Sequence, residues 1–321
     1  MPSSIYCISL NPSVDYTFYL NDIVDEDINR IEKSIIHPGG KGMNVARMLK
    51  KLGEDVFPIT FISKKETLYR KLLKKEKIDF IPIEINGKER NVYNYISKKR
   101  VLRFNEKGPE IKKQELKKFF NVLSNLKIKK KDIVVMSGSI PPGIKEDIYA
   151  KIVKRVKKFD VFTVVDADGE ILKKSIKEKP FIIKPNLKEL ERTFNTKIEN
   201  YEKIKEICFS LIKSGISIIL VTNGKNGALL FTEKEIIYSK PPQVNFKSNI
   251  GCGDAFLSGF LCKFKNGEKY EDALKFAVSV GAAKAEEEGT KMPSFSKIKK
   301  LLNSVKIWKN PDSIDSFFTP L

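Results

Sequence analysis

The chain has 321 residues, 41% of them hydrophobic, enough for a sizeable core and too many for a disordered polymer. It carries 60 Lys and Arg against 40 Asp and Glu, a formal charge of +20. A single histidine, His37, excludes His-rich metal sites and most Ser-His or Cys-His nucleophile schemes, so any general base is expected to be a carboxylate.

The length suits one large α/β unit as well as two ordinary domains. Met1-Pro2-Ser3-Ser4 has no charged start to a leader, and nowhere do about eighteen apolar residues run together, so neither a signal peptide nor a membrane span is expected. Cys7, Cys208, Cys252 and Cys262 stand at unrelated spacings and read as reduced thiols of a cytoplasmic protein. The lysines are spread over nearly every predicted helix (Lys50-Lys51, Lys129 to Lys131, Lys299-Lys300) without a zinc finger, basic zipper or aromatic RNA signature. No nucleic-acid partner is expected; a field that gathers anionic substrates is.

Short β-branched runs alternate with longer amphipathic ones, which predicts an α/β fold with a parallel sheet and crossover helices. In chain order the predicted strands are Ile5–Leu10, Val56–Phe61, Asp79–Ile85, Ile133–Met136, Phe162–Asp166, Phe181–Lys184, Ile218–Thr222 and Ala228–Phe231. The predicted helices are Met43–Leu52, Leu68–Lys75, Gln114–Leu126, Asp147–Lys157, Tyr201–Lys213, Asp254–Phe264, Tyr270–Glu286 and Ser296–Asn303. Two extended segments, Tyr16 to Ile36 and Arg90 to Asn105, break the alternation just after core strands. A small β-sheet lid of two insertions, about 16–36 and about 88–107, within one unit spanning 1–321, is the economical reading.

The first glycine cluster is Gly39-Gly40-Lys41-Gly42-Met43-Asn44, which opens a helix and suits an anionic, hydroxyl-rich ligand. It lacks Walker A spacing, and a plain tight turn is its other reading. Ser137-Gly138-Ser139 follows a buried-looking strand and lets a ligand come close. Lys184-Pro185-Asn186-Leu187-Lys188-Glu189 starts a helix; Asn186 and Glu189 share one face and either cap that helix or hold a hydrated Mg²⁺. Thr222-Asn223-Gly224-Lys225-Asn226-Gly227 is a hairpin-type turn by composition. Finally, Gly251-Cys252-Gly253-Asp254 precedes an apolar helix. Its glycines free backbone N–H groups for an anion, and Asp254 either takes a proton from a nearby hydroxyl or merely caps the helix.

Together these segments resemble the PfkB (ribokinase-like) carbohydrate kinase family, from about Ile5 to about Leu302. Gly251-Cys252-Gly253-Asp254 matches its C-terminal signature and Gly39-Gly40-Lys41-Gly42-x-Asn44 its N-terminal one. Leu10-Asn11-Pro12-Ser13-Val14-Asp15, Arg90-Asn91, Asn105 with Gly108-Pro109, and Ile183 to Asn186 are similar to the hexose-phosphate branch, the 1-phosphofructokinases and tagatose-6-phosphate kinases. The resemblance implies a doubly wound, mostly parallel sheet flanked by helices, ATP and Mg²⁺ as cofactors, a sugar phosphate as acceptor, Asp254 as base, and Gly251, Cys252 and Gly253 around the migrating phosphoryl. It implies sugar-phosphate contacts from Asp15, Gly39, Gly40, Lys41, Asn44, Arg90, Asn105 and Ser139. Nucleotide contacts would come from Lys184, Asn186, Thr222, Gly224 and Gly227, a water-mediated Mg²⁺ contact from Glu189, and a homodimer through the lid. D-Fructose 1-phosphate is the favoured acceptor, with tagatose 6-phosphate and fructose 6-phosphate as alternatives; a silent sugar-phosphate sensor is the non-enzyme rival. There are three departures from the pattern: Cys252 for alanine, Ala255 for serine, and Leu102-Arg103-Phe104-Asn105 for Thr-Glu-Ile-Asn. The last bears on acceptor identity, since Arg103 either faces the cleft or points outward on an alternating strand.

Overall fold

The computed structural model describes residues 3–319. Among these the strands are, in chain order, β1 (Ile5–Ser9), β2 (Ser13–Tyr19), β3 (Lys33–Gly39), β4 (Val56–Ser63), β5 (Ile81–Ile85), β6 (Arg90–Ile96) and β7 (Val101–Asn105). They continue with β8 (Ile133–Ser137), β9 (Phe162–Asp166), β10 (Ile182–Ile183), β11 (Ile218–Thr222), β12 (Ala228–Phe231), β13 (Ile236–Lys240) and β14 (Lys306–Lys309). Ten of them form one sheet in the order β14-β13-β12-β11-β10-β9-β8-β1-β4-β5. From β11 to β5 the strands are parallel, and β12 to β14 add an antiparallel edge.

The helices are α1 (Lys41–Lys51), α2 (Leu68–Lys75), α3 (Lys113–Asn125), α4 (Ile148–Val156), α5 (Gly169–Ile176), α6 (Leu187–Phe194), α7 (Tyr201–Lys213), α8 (Cys252–Lys265), α9 (Tyr270–Ala285) and α10 (Phe295–Leu302). Side chains alternate across a strand, so a sheet buried on both sides must serve two cores. Tyr6 and Ile8 of β1 pack with Phe119 of α3, Ile152 of α4 and Ile204 of α7. Ile5 and Cys7 pack on the opposite face with Val45 of α1, Phe260 of α8 and Ala277 of α9. Close approach matters where α1 crosses β1: a Cβ on Gly42 would lie 2.6 Å from the Ile8 carbonyl oxygen. Any side chain there would push α1, and Asn44 with it, off the sheet.

The predicted alternation holds, with differences at its edges. β13, β14 and α5 were not anticipated, and β10 keeps only two residues of the expected Phe181–Lys184 run. The two extended segments form a second sheet, ordered β3-β2-β6-β7. Its first strand begins at Ser13 rather than at Tyr16, which puts Asp15 on the sheet itself. Pairing places Asp15 beside Val92, and Val92 beside Asn105; one step along, Thr17, Asn94 and Arg103 line up. These residues share one face. The opposite face carries Tyr16, Phe18, Tyr93 and Tyr95, stacked across β2 and β6 with ring centroids 5.4 and 5.1 Å apart. No helix among the described residues is long and apolar enough to cross a membrane.

Candidate active site

The signature residues gather at the carboxyl ends of the parallel strands, where crevices open in such sheets. Gly251 adopts φ 73°, a conformation glycine reaches without strain, and the chain turns there into α8. The first N–H groups of a helix have no intrahelical acceptor, so those of the Gly251–Gly253 turn form a ready anion cradle, with the Cys252 N–H resting on the Asn249 carbonyl at 3.5 Å. No side chain caps α8. Asp254 instead accepts a hydrogen bond from Asn44 Nδ2 at 2.9 Å. Asn44 is held in that orientation by Arg47, whose Nη1 donates to Asn44 Oδ1 at 3.1 Å and to the Pro38 carbonyl at 2.8 Å. Arg47 in turn forks onto Glu76, with both bonds at 2.6 Å. Burial, then the charge of Asp166, raises the Asp254 pKa to about 6; Lys41 and the Asn44 bond moderate the rise.

Asp166, at the end of β9, was not singled out in the sequence, yet it anchors a charge cluster. Its Oδ1 meets Lys184 Nζ at 3.2 Å and Lys41 Nζ at 3.4 Å, and its Oδ2 accepts from Ser137 Oγ at 2.9 Å. Burial opposes its charge, but Lys184 and Lys41 outweigh burial and hold its pKa below the usual carboxylate range. Lys41 also reaches Glu189 Oε1 at 3.2 Å. The amine of Lys41, expected with Arg90 at the sugar's phosphate, here meets the carboxylates at the end of β9 and the start of α6. Burial pulls the Lys41 pKa down, yet Asp166, Glu189 and Asp254 together keep it above its ordinary value. Lys184 Nζ would lie 3.5 Å from a Cβ on Gly253, so it too stands beside the cradle.

Asn186 and Glu189 form a reciprocal cap on α6, Glu189 N–H to Asn186 Oδ1 at 2.8 Å and Asn186 N–H to Glu189 Oε2 at 2.9 Å. Both oxygens of Glu189 are therefore engaged, one by the cap and one by Lys41. Among the described residues no three His, Cys, Asp or Glu side chains converge as a ready-made metal site. The donors present, Asp166 and Glu189, are oxygens. Such a set fits Mg²⁺ that keeps its waters and arrives on phosphate oxygens.

At the small sheet, Asp15 accepts from Ser13 Oγ at 2.6 Å and lies so close to Gly39 that a Cβ there would be 2.2 Å from its carboxyl group. Burial raises its pKa to about 6, against the Ser13 bond, Arg47 and Arg90. Gly40, with φ 98°, carries the chain from Gly39 into α1. Arg90 donates to the carbonyls of Asn11, at 3.3 Å, and Glu106, at 3.1 Å. Asn11 Nδ2 reaches Ser139 Oγ at 3.2 Å, which ties the small sheet's root to the loop after β8. Asn105 is exposed at the end of β7 and makes no side-chain hydrogen bond among the described residues. Arg103 faces inward: its Nη2 bonds Asn249 Oδ1, in the loop that leads to Gly251. The outward alternative is excluded.

The Thr222–Gly227 segment is a β11–β12 hairpin with a short 3₁₀ turn at Gly224–Asn226. A Cβ on Gly227 would lie 2.1 Å from the Ser239 carbonyl, which accounts for that glycine by packing. Asn223 and Asn226 donate to the carbonyls of Phe317 and Thr319, at 2.5 and 2.6 Å, so the C-terminal segment braces this loop. Thr222 sits beside Asn186 through a parallel bridge.

A family model for the pfkB family of carbohydrate kinases matches residues 9–297. The chain is 33% identical over 305 residues to the 1-phosphofructokinase of Borreliella burgdorferi, covering 94% of this chain and 98% of that one. It is 32% identical over 303 residues to the 1-phosphofructokinase of Bacillus subtilis, covering 94% and 99%. Among solved structures it is similar to Phosphofructokinase-2 from Escherichia coli, crystallised in complex with substrates and products, with 25% identity, a TM-score of 0.87 and coverage of 94% and 98%. The fold is thus ribokinase-like, and the chain belongs to the pfkB family of carbohydrate kinases.

Proposed function

We propose that this kinase transfers the terminal phosphoryl group of ATP to D-fructose 1-phosphate, giving fructose 1,6-bisphosphate. The observation that carries the reading is Asp254, a buried carboxylate at the amide-rich start of α8, joined through α1 to the Asp15–Arg90 corner. Gly39 touches Asp15, and Asn44, five residues on, touches Asp254. The two relatives named 1-phosphofructokinase favour this acceptor over tagatose 6-phosphate and fructose 6-phosphate.

Phosphoryl transfer asks for positioning and charge neutralisation more than for covalent help. Arg90 would hold the phosphate the sugar already carries, and Asp15 with Asn44 its hydroxyls, with Gly39, Gly40 and Ser139 leaving room for it. Asp254 would accept the proton of the attacking primary alcohol. The amides of Gly251, Cys252 and Gly253, with Lys41 and Lys184, would take up charge on the migrating group. Thr222, Gly224, Gly227 and Asn186 would line the nucleotide end. Bound Mg²⁺ neutralises phosphate charge, and Glu189 and Asp166 would hold it through water.

The small sheet would act as a lid over this cleft. Its outer aromatic face, with Phe104 56% exposed and Ile36 38% exposed, supports a homodimer formed lid to lid. A coupled assay across fructose 1-phosphate, tagatose 6-phosphate, fructose 6-phosphate and unphosphorylated fructose tests the acceptor. The highest kcat/KM is expected for fructose 1-phosphate, and a higher value for any other sugar overturns the assignment.

Arg103 enters the same test. It replaces a carboxylate by a guanidinium fork on the inner face of the lid, where sugar hydroxyls lose an acceptor and a phosphate gains a donor. Arg103→Glu is therefore expected to shift the kcat/KM ratio between fructose 1-phosphate and tagatose 6-phosphate. An unchanged ratio in wild type and variant removes Arg103 from acceptor choice.

A further inference from the structure

Lys284 lies in the last turn of α9, yet its side chain is 0% exposed. A lysine at a helix C-terminus ordinarily runs its amine out to water. This one turns inward and donates to the Gly289 carbonyl at 2.7 Å. Among the described residues no carboxylate approaches it within ion-pair distance. Burial lowers its pKa; Cys252, Glu287 and Asp254 favour its charge, and Arg47 opposes it. An isolated charge is expensive to bury, so a structural filler would better be methionine or leucine.

Its surroundings point to a role. The Lys284 stem lies against the anion cradle: a Cβ on Gly251 would be 3.6 Å from Lys284 Cε. Gly289 is gripped from the other side as well, since its N–H donates to Tyr19 Oη of the small sheet at 3.1 Å. A Cβ on Gly289 would lie 3.1 Å from Thr17 Oγ1 and 3.3 Å from His37 Nδ1. Both of those atoms, and Thr290 Oγ1 next along the chain, are buried without hydrogen-bond partners. The amine thus meets a neutral carbonyl, on a residue packed against unpartnered polar atoms of the small sheet, and stands there as a compact monovalent cation.

We propose that the Lys284 ammonium acts as a tethered monovalent cation, pinning the Gly289 carbonyl beside the Gly251 turn and so shaping the amide cradle at the start of α8. It is a positioning residue, acting on the phosphoryl group through the loop. The inference rests on the reading of Gly251–Gly253 as that cradle and is indifferent to which sugar phosphate is the acceptor.

Cation exchange tests it, with choline, sodium, potassium and ammonium chlorides compared at equal ionic strength. Wild type is expected to turn over at the same rate in all four. Lys284→Ala leaves a lysine-sized space, and its kcat in choline is expected to fall about ten- to a hundredfold, the loss of one charge-assisted hydrogen bond. Potassium or ammonium should restore much of that rate, while KM for ATP moves less than kcat. Lys284→Met fills the space without charge and should lose rate that no cation restores. Melting gives a readout free of turnover: potassium or ammonium should raise the melting temperature of Lys284→Ala above its value in choline and leave wild type unmoved. Activation of wild type by potassium, a wild-type rate in Lys284→Met, or a Lys284→Ala variant that behaves alike in choline and potassium overturns the proposal. If Lys284→Ala folds in none of the salts, Lys284→Met decides through its kcat. A wild type that ignores fructose 1-phosphate refutes the acceptor reading alone, and the melting comparison still tests Lys284.

Discussion

Asp254→Asn is expected to lower kcat by about 10²–10⁴-fold, the range of general-base contributions. The amide keeps the shape of the carboxyl group and still meets Asn44, so calorimetric affinities for ATP and sugar phosphate should stay within about tenfold. Retention of more than a tenth of the wild-type single-turnover rate would sink the assignment. The pH profile supplies a second check. Asp254 must be ionised to accept a proton, and its pKa is raised to about 6, so activity should climb as pH rises through that value. Asp15 is raised to about 6 as well, and two groups therefore titrate in the same window. The sign for stability is the opposite. A carboxyl group with a raised pKa favours the fold most below its unfolded value of 3.8, and that contribution is lost as pH rises through about 6. At pH above 7 the inactive Asp254→Asn protein should consequently melt higher than wild type, and the gap should close in acid.

Arg90→Ala is the second large effect. A charge-assisted hydrogen bond lost from a sheltered site costs about 1.5–3 kcal/mol, which is roughly a ten- to hundredfold rise in KM for the sugar phosphate. KM for ATP should move much less, because no bond links Arg90 to the Asp166–Lys41–Lys184 cluster. Arg90 also holds the carbonyls of Asn11 and Glu106. General loosening of the lid root would raise both KM values together, so the split between the two substrates is the informative quantity. Equal rises, or efficient phosphorylation of unphosphorylated fructose or ribose, would remove the phosphosugar reading.

Much of this was legible along the chain because the signals were local. Runs such as Phe162–Asp166 and Ile218–Thr222 are β-branched and fully bounded, and they form strands with those limits. β14, with the sequence Lys306-Ile307-Trp308-Lys309, is short, lysine-flanked and mostly exposed, so neither alternation nor hydrophobicity marks it. α5 opens on a glycine at φ 55° and spans only eight residues, too few for a helical period to stand out. The cluster around Asp166 was hidden for another reason. Lys41, 125 residues earlier, and Lys184 reach it only because three loops end side by side on the sheet. In the sequence Asp166 is merely the polar end of a strand. The partners of Lys41 were hidden by the same blindness: its glycine cluster marks an anion site without naming Asp166 or Glu189. A usable hint did exist for Lys284, a lone lysine within the small-residue stretch Gly281-Ala282-Ala283-Lys284-Ala285. The direction of Arg103 needed only the register of β6 with β7, which a sequence does not print.

The small sheet joins the rest of the fold through four crossings of the chain. β1 passes into β2 through Leu10, Asn11 and Pro12, β3 into α1 through Gly40 alone, β5 into β6 through residues 86–89, and β7 into α3 through residues 106–112. Rotation of the proposed lid must be absorbed at all four, of which Gly40, at φ 98°, is the shortest. Asp15 travels with the sheet, whereas Asn44 and Asp254 remain behind with the helices. A swung-open enzyme therefore keeps its base and phosphate cradle but has no assembled seat for the sugar. Water entering in that state meets a nucleotide whose proper recipient is missing. How rarely ATP is lost to water thus depends on the combined stiffness of these four linkages.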